Sequence, residues 1–251
     1  MSDYMVTSVE RSLMQTQLGI SKLDKPIFFL NGMSSPKVRH FLNNLCELPQ
    51  TRYLEVGCWR GSTLISALYD NHASVNEVIA IDNFSEFQLD SQTQATSVNP
   101  LIELLDETNR RFFLSDKSPK EELLEKADCF LKARPARFQF YDDDCFSPQL
   151  LQTLRTAHAG SRINTYLYDG AHDQESQRRA FTEYDFILDD QFIAIVDDWN
   201  SPGVKEGTYQ AFRELDYQVV KQWELPSRNN GDIYNWWNGL YVAVIHKTPR
   251  R

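Results

Sequence analysis

Three carboxylates and one imidazole stand where two apolar runs end. The run Thr165-Tyr166-Leu167-Tyr168 ends in Asp169, the run 192–196 ends in the pair Asp197-Asp198, and His172 follows Asp169 by three residues. If these runs are neighbouring strands of an open α/β sheet, their carboxyl ends meet at one crevice, and Asp169, Asp197 and Asp198 converge there. Like charges held close repel strongly where the dielectric is reduced, and a bound divalent cation removes the conflict. An all-oxygen set with one histidine nearby and no cysteine favours a hard ion over zinc, Mg²⁺ first, with Mn²⁺ or Ca²⁺ as alternatives. His172, about one helical turn beyond Asp169, is in reach of a hydroxyl held by such a cation and could take its proton. Taken singly, each feature has an ordinary explanation: Asp-x-x-His as a helix cap with a partner, Asp-Asp as a strand-end turn.

The elements that must position these groups are legible as alternation. Strand-like runs fall near 52–56, 78–82, 137–141, 164–168 and 192–196, with helical stretches between them. Such alternation predicts right-handed crossovers and a mostly parallel sheet. Runs at 217–224 and 239–246 have no helix between them and are expected to pair antiparallel. The expected fold class is therefore α/β: a doubly wound, mostly parallel, seven-stranded Rossmann-like sheet ending in an antiparallel strand pair. Residues 1–33 read as an N-terminal arm, and 34–251 as a single domain with a helical insertion at about 84–136. Ser34-Ser35-Pro36 opens a helix whose Val38, Phe41, Leu42 and Leu45 share one apolar face. Within the insertion, Asn99-Pro100 opens one helical stretch. Ser118-Pro119-Lys120-Glu121, with capping-box spacing, opens another.

A second group of residues speaks of a nucleoside. The apolar run 53–56 leads into Gly57-Cys58-Trp59-Arg60-Gly61-Ser62-Thr63, and twenty-one residues past Gly61 a second strand-like run ends in Asp82. A turn that lets bare backbone approach a ligand, with an acid on the neighbouring strand tip, is how a doubly wound sheet holds a nucleoside and its ribose hydroxyls. Trp59 stands where a dinucleotide fingerprint needs its middle glycine, so a pyrophosphate would meet an indole there. No GxxxxGK[ST] phosphate loop occurs. What remains is a nucleoside ligand without a pyrophosphate, for which S-adenosylmethionine is the obvious candidate.

Composition bounds the rest. With 251 residues, 41% hydrophobic, including 15 Phe, 11 Tyr and 5 Trp, the chain can bury a large core. A net charge of −9 argues against a nucleic-acid surface. Four scattered cysteines, Cys46, Cys58, Cys129 and Cys145, form no CxxC pair and read as reduced intracellular thiols. The start Met1-Ser2-Asp3-Tyr4 shows no basic segment followed by an apolar one, and no run approaches ~18 apolar residues. The expectation is a cytoplasmic protein with a small hydroxylated substrate, no nucleic-acid or membrane partner, and a homo-oligomer left open.

The pattern Glu55-x-Gly57-x-x-x-Gly61-x-Thr63 resembles the first motif of class I S-adenosylmethionine-dependent methyltransferases. It is most similar to the metal-dependent macrocin-type and catechol-type O-methyltransferases, which also replace the central glycine; the resemblance spans about 50–200. It implies that Gly57, Gly61 and Thr63 lie beside the methionine part of the cofactor, that Glu55 orients that region, and that Asp82 holds the ribose hydroxyls. It aligns Asp144 with an adenine-contacting residue, Asp142 and Asp143 being the neighbouring registers. It implies that Asp169, Asp197 and Asp198 hold the metal and that His172 is the base. Asp-x-x-His is similar to the macrocin type, where the catechol type has a lysine. The implied activity is metal-assisted methyl transfer to a hydroxyl of a small molecule, with a sugar or a glycosylated metabolite among the candidates. Two alternatives stand. One is a metal-independent methyltransferase acting on nitrogen or a macromolecule, although the Asn/Asp-Pro-Pro-aromatic motif is replaced by Asp169-Gly170-Ala171-His172. The other is a non-catalytic nucleoside-binding module of the same fold. Acceptor recognition is expected from the arm, from 83–116 and from the 227–238 loop with Tyr234, Trp236 and Trp237; Asn200 has an open role.

Overall fold

A computed structural model describes residues 2–85, 99–114, 117–131, 137–160 and 162–248. The first expectation it meets is the sheet. Strands β1 (Thr51–Val56), β2 (Val75–Ile81), β3 (Arg137–Tyr141), β4 (Ile163–Tyr168), β5 (Leu188–Val196), β6 (Tyr217–Leu225) and β7 (Leu240–Lys247) form one seven-stranded sheet in the order β3-β2-β1-β4-β5-β7-β6. Pairs among β1 to β5 are parallel, while β7 runs antiparallel to both β5 and β6. The chain steps outward from β1 to β2 and β3, then returns to place β4 and β5 on the other side, so the order reverses between β1 and β4.

Register decides which residues emerge together. Val56 pairs with Ile81 on one side and Tyr168 on the other, Ile81 with Tyr141, and Tyr168 with Val196. One residue beyond that row lie Asp142, Asp82, Gly57, Asp169 and Asp197. The acids and the glycine turn thus leave the sheet along a single edge, at the crevice where the strand order reverses.

The core follows the two-residue period of the strands. Leu54, Val56, Ile79, Ile81, Tyr166, Tyr168, Ala194 and Val196 belong to one buried cluster; Tyr53, Val78, Ala80, Leu167, Ile193 and Ile195 belong to the other. Helices α1 (Ser2–Gln17), α2 (Pro36–Leu45), α3 (Ser62–Leu68), α4 (Glu107–Phe113) and α5 (Pro119–Phe130) precede β3 along the chain. Val9, Phe41, Leu64, Phe113 and Leu123 of these helices join the second cluster. Helices α6 (Pro148–Ala157), α7 (Gln174–Thr182) and α8 (Pro202–Glu214) cover the opposite face through Leu150, Phe181 and Phe212. Both faces are covered, as a parallel sheet requires. Ser35 caps α2 by accepting the Val38 N–H, and Ser118 and Glu121 close a reciprocal capping box on α5, as their spacing predicts.

The segment read as an arm contains α1, which sequence periodicity does not announce. Its buried positions are Met5, Val9, Ser12 and Thr16, so half of the inward stripe is polar. Further on, the fully buried Arg39 donates from Nη1 to the Ile27 carbonyl (2.8 Å), from Nη2 to the Leu30 carbonyl (3.0 Å) and from Nε to Ser34 Oγ (2.9 Å). This guanidinium gathers backbone oxygens that a loop would otherwise bury unpaired. It thereby fixes 27–34 beside α3, where Ser34 Oγ meets Ser62 Oγ at 3.1 Å. Among the described residues no helix is long and apolar enough to cross a membrane.

Candidate functional site

A cavity of about 640 Å³ opens at the carboxyl edge of the sheet, over the point where the order reverses. That volume is in the range of small-molecule sites. One side is the turn Gly57-Cys58-Trp59 with Ser62 and Thr63; Asp82, Phe84, Asp144 and Phe146 form another, and Asp169, His172, Asp197 and Asp198 a third.

The turn is built by its glycines. Gly57 has φ +90°, and a Cβ there would lie 1.8 Å from the Asp169 carbonyl oxygen. Gly61 has φ +82°, with Leu123 Cγ 2.9 Å from the position of a Cβ. The requirement for glycine at these two positions therefore comes from β4 and from α5, before any ligand is considered. Trp59, at φ +40°, offers its backbone N–H to Asp82 Oδ2 (2.7 Å) while lining the cavity.

Asp82 sits at the tip of β2 and accepts a second N–H, from Phe84, on Oδ1 (2.6 Å). Burial raises its pKa, opposed by those N–H groups. A carboxylate has about four acceptor sites, so Asp82 keeps capacity to accept a hydrogen bond from a ligand hydroxyl. Of the acid triplet, Asp142 pairs with Lys120 at 2.7 Å, whereas Asp143 and Asp144 line the cavity. Asp144 Oδ1 accepts the Phe146 N–H at 2.8 Å, which fixes the turn into α6.

Glu55 lies behind the cavity surface. Its Oε2 accepts from the Tyr53 hydroxyl and its Oε1 from Thr63 Oγ1, each at 2.6 Å, and Thr63 is the residue that reaches the cavity. Burial raises the Glu55 pKa from 4.5 to about 7, against the opposing pull of those two hydroxyls. A carboxyl whose folded pKa exceeds its unfolded value holds an extra proton in the native state between the two. Native stability from this group accordingly falls as pH rises from 4.5 through about 7, in total by on the order of 3 kcal/mol. Glu55→Gln, which cannot ionise, is expected to flatten the decline in melting temperature between about pH 5 and about pH 8 that this group produces. Circular dichroism melts at the two pH values check it; parallel declines in both proteins would refute the assignment.

The third side gathers the acids predicted from the strand ends. Single ligand atoms of Asp169, His172 and Asp198 all lie within 4.8 Å of one another. His172 Nε2 is 2.8 Å from Asp198 Oδ2. Asp197 stands outside that trio, but its side chain lines the same cavity, only 6% exposed, and its Oδ1 has no hydrogen-bond partner among the described residues. Burial first, then the charges of Asp197 and Asp198, hold the Asp169 pKa well above the usual carboxylate range; burial and Asp198 do the same to Asp197. These donors fit a hard divalent cation: they are oxygens with one imidazole, crowded and under-neutralised. Backbone conformation around the cavity is also unusual. Of seven described non-glycine residues with positive φ, four line this cavity: Trp59, Phe84, Asp198 (+54°) and Trp237 (+57°). Left-handed backbone at such residues is strained and is retained where the surroundings over-determine it, typically at sites of function.

The loop between β6 and β7 was expected to face an acceptor; what sequence reasoning missed is its grip on Asp198 through Asn238. Asn238 donates from Nδ2 to Asp198 Oδ1 (2.6 Å) and accepts the Gly231 N–H on Oδ1 (2.8 Å). Asp198 is thus gripped on one oxygen by Asn238 and faces His172 with the other. Asn200 does not turn to the acids: its amide donates to the Ser227 carbonyl (3.0 Å) and Asn230 Oδ1 (3.2 Å), fastening the same loop. Of the three aromatic residues, Trp237 lines the cavity, Trp236 packs edge-on to Phe41 in the core, and Tyr234 is 80% exposed. From the arm, Met33 reaches the cavity, and from the insertion Asn83, Phe84 and Ser85 do; positions 86–98 lie outside the described residues.

No protein-family model matches the chain, nor does any curated protein sequence. Solved structures do. The chain is similar to a provisionally assigned RNA methyltransferase from Pyrococcus horikoshii at 10% identity and a TM-score of 0.50, over 96% of this chain and 98% of that one. It is similar to a provisionally assigned methyltransferase in complex with S-adenosylhomocysteine at 12% identity and a TM-score of 0.50, over 84% of this chain. There it spans about half of the other protein's length, 48%. A precorrin 8w decarboxylase from Methanobacterium thermoautotrophicum matches at 13% identity and a TM-score of 0.50, over 87% of this chain and 94% of that one. At these identities the likeness is one of architecture: the chain has the Rossmann-like seven-stranded fold found in methyltransferases.

Proposed function

We propose that the protein is an S-adenosylmethionine-dependent O-methyltransferase, assisted by a divalent cation and acting on a hydroxyl of a small molecule. One observation carries this reading: a single cavity joins the glycine turn and Asp82 at one end to the clustered Asp169, His172 and Asp198 at the other. A methyl donor bound against the turn would have its reactive group beside the acids.

In this reading Gly57, Gly61 and Thr63 border the methionine end of the donor, Glu55 acting through the Thr63 hydroxyl. Asp82 accepts from the ribose hydroxyls, and Asp144 lies toward the adenine. Asp169, Asp197 and Asp198 hold Mg²⁺ or another hard divalent cation. When bound, the donor supplies an electrophilic methyl group and the cation a Lewis acid beside the acceptor hydroxyl. His172 takes the hydroxyl proton on the ring nitrogen that does not face Asp198, Nε2 being the one that donates to Asp198 Oδ2; a base is needed because a neutral alcohol is a weak nucleophile. Asp198 orients that imidazole, and Asn238 orients Asp198.

S-adenosylhomocysteine is expected to raise the melting temperature of the wild-type protein through linkage, and to raise that of Asp82→Ala much less. With a methylated acceptor in hand, EDTA should abolish turnover and Mg²⁺ restore it. Unchanged melting with millimolar S-adenosylhomocysteine would favour a non-catalytic module. Full turnover in EDTA would favour metal-independent transfer.

A further inference from the structure

The glycine turn that borders the cavity is strained at its centre. The Gly61 N–H closes it by donating to the Cys58 carbonyl at 2.7 Å, and its first central residue, Trp59, has φ +40°. Turns of this kind take glycine at such a position, so a tryptophan there persists only where its surroundings over-determine it. Asp82 holds one side through the Trp59 N–H. The other side is held from behind the cavity wall. The Arg60 guanidinium lies 5.0 Å from the centre of the Trp59 ring and pairs with Glu122 of α5. Both charged side chains are 1% exposed, and neither lines the cavity.

Stability does not account for those two charges. Burying an ion pair costs desolvation that its attraction hardly offsets, and an apolar pair of similar volume stabilises a core as well or better. What an apolar pair lacks is direction. Glu122 fixes where the guanidinium sits, and the guanidinium lies against the indole that forms part of the cavity wall. Glu122 is itself held in place. Its neighbour Leu123 packs on Gly61, with Cγ 2.9 Å from where a Cβ would stand. One helical turn on, the buried Lys126 donates to the Phe112 carbonyl at 2.6 Å and joins α5 to the end of α4. A continuous set of contacts thus runs from the helical insertion to Trp59.

We infer that Glu122 is a positioning residue for the methyl donor: acting through Arg60, it holds Trp59 and the turn 58–61 in the shape the donor meets, and so makes donor affinity depend on the helical insertion. The inference rests on the proposed function, in which the donor lies against that turn. It adds a determinant of affinity that touches neither donor nor acceptor. Coupling between sites is reciprocal, so a ligand that binds the ordered turn must also steady α5.

The double variant Arg60→Leu/Glu122→Leu removes both charges together, so that neither is left buried alone. Its urea midpoint should stay at or above the wild-type value. Its calorimetric Kd for S-adenosylhomocysteine should nevertheless rise by at least about tenfold, within the usual range for coupled sites. A Kd like that of the wild type in a variant of wild-type stability overturns the inference, because the pair would then serve packing alone. If the variant fails to fold or its midpoint falls, the wild-type chain decides. Saturation with S-adenosylhomocysteine should slow backbone hydrogen exchange at 122–126 at least about threefold more than at 9–16 of α1, which packs on the same face of the sheet. Equal slowing in the two helices overturns the inference. The two levels separate cleanly. If S-adenosylhomocysteine does not bind the wild-type chain, the proposed function falls; if it binds and α5 responds no more than α1, the positioning role alone falls.

Discussion

Gly57→Ala is expected to destabilise the protein by more than about 4 kcal/mol, a large part of a typical domain's total stability. The added Cβ would stand 1.8 Å from the Asp169 carbonyl oxygen and 2.5 Å from its carbon. Those are backbone atoms, so no rotamer change relieves the overlap. Nor can the strand tips move independently. Gly57 N–H donates to the Ile81 carbonyl at 2.9 Å, and Asp169 N–H donates to the Val56 carbonyl at 2.8 Å, so β2, β1 and β4 are tied together at the point of collision. The left-handed φ of +90° adds a smaller penalty, roughly 1–2 kcal/mol for a residue with a Cβ. Gly231→Ala is the internal control: φ is +75° but nothing lies within 4 Å of the added carbon. It should lose only about 1 kcal/mol. Urea unfolding of the two variants measures both terms, and a Gly57→Ala midpoint close to that of Gly231→Ala would show that the strand tips are looser than their hydrogen bonds imply.

That collision also explains how far the sequence could be read. The seven strands were legible because apolar runs bounded by turns and acids have few other readings, and because the register carries each acid one residue beyond a shared row. Of the three acids expected to converge from two neighbouring strand tips, Asp169 and Asp198 meet together with His172, while Asp197 stands outside that trio. Glycine at 57 was read as room for a ligand; its nearest neighbour is the backbone of β4. Glu55 was read as orienting the methionine region of the cofactor; it lies behind the cavity surface and meets it through the Thr63 hydroxyl. The helix α1 escaped notice because Ser12 and Thr16 fill inward positions that periodicity expects to be apolar. Asn238 could not be foreseen at all. It grips Asp198 from 40 residues away through one amide, and no spacing in the chain announces such a contact. The left-handed backbone at Trp59 is equally silent in the sequence, since tryptophan does not signal it.

His172→Ala should reduce turnover by about 10²–10⁴-fold, the usual contribution of a positioned general base, while leaving the S-adenosylhomocysteine-induced rise in melting temperature nearly intact. The side chain is partly exposed, with 44% of its surface accessible, and its Nε2 lies 2.8 Å from Asp198 Oδ2. Its removal opens no core cavity, so a large loss of stability is not expected. The geometry nevertheless gives His172 two possible duties, because its ring nitrogen also lies within the compact trio with Asp169 and Asp198. A base and a metal ligand fail differently. If His172 moves the proton, the variant should need the same Mg²⁺ concentration for half-maximal rate and simply turn over slowly at saturation. If it holds the cation, the half-saturating Mg²⁺ concentration should rise and excess metal should recover much of the rate. Asn238→Ala sharpens the distinction, since it frees one oxygen of Asp198 and lets the carboxylate swing from the imidazole. For a base oriented through Asp198 it should lower kcat with little change in the metal requirement. A shift in the metal requirement without a fall in kcat would instead make Asp198 a ligand first and an orienting group second.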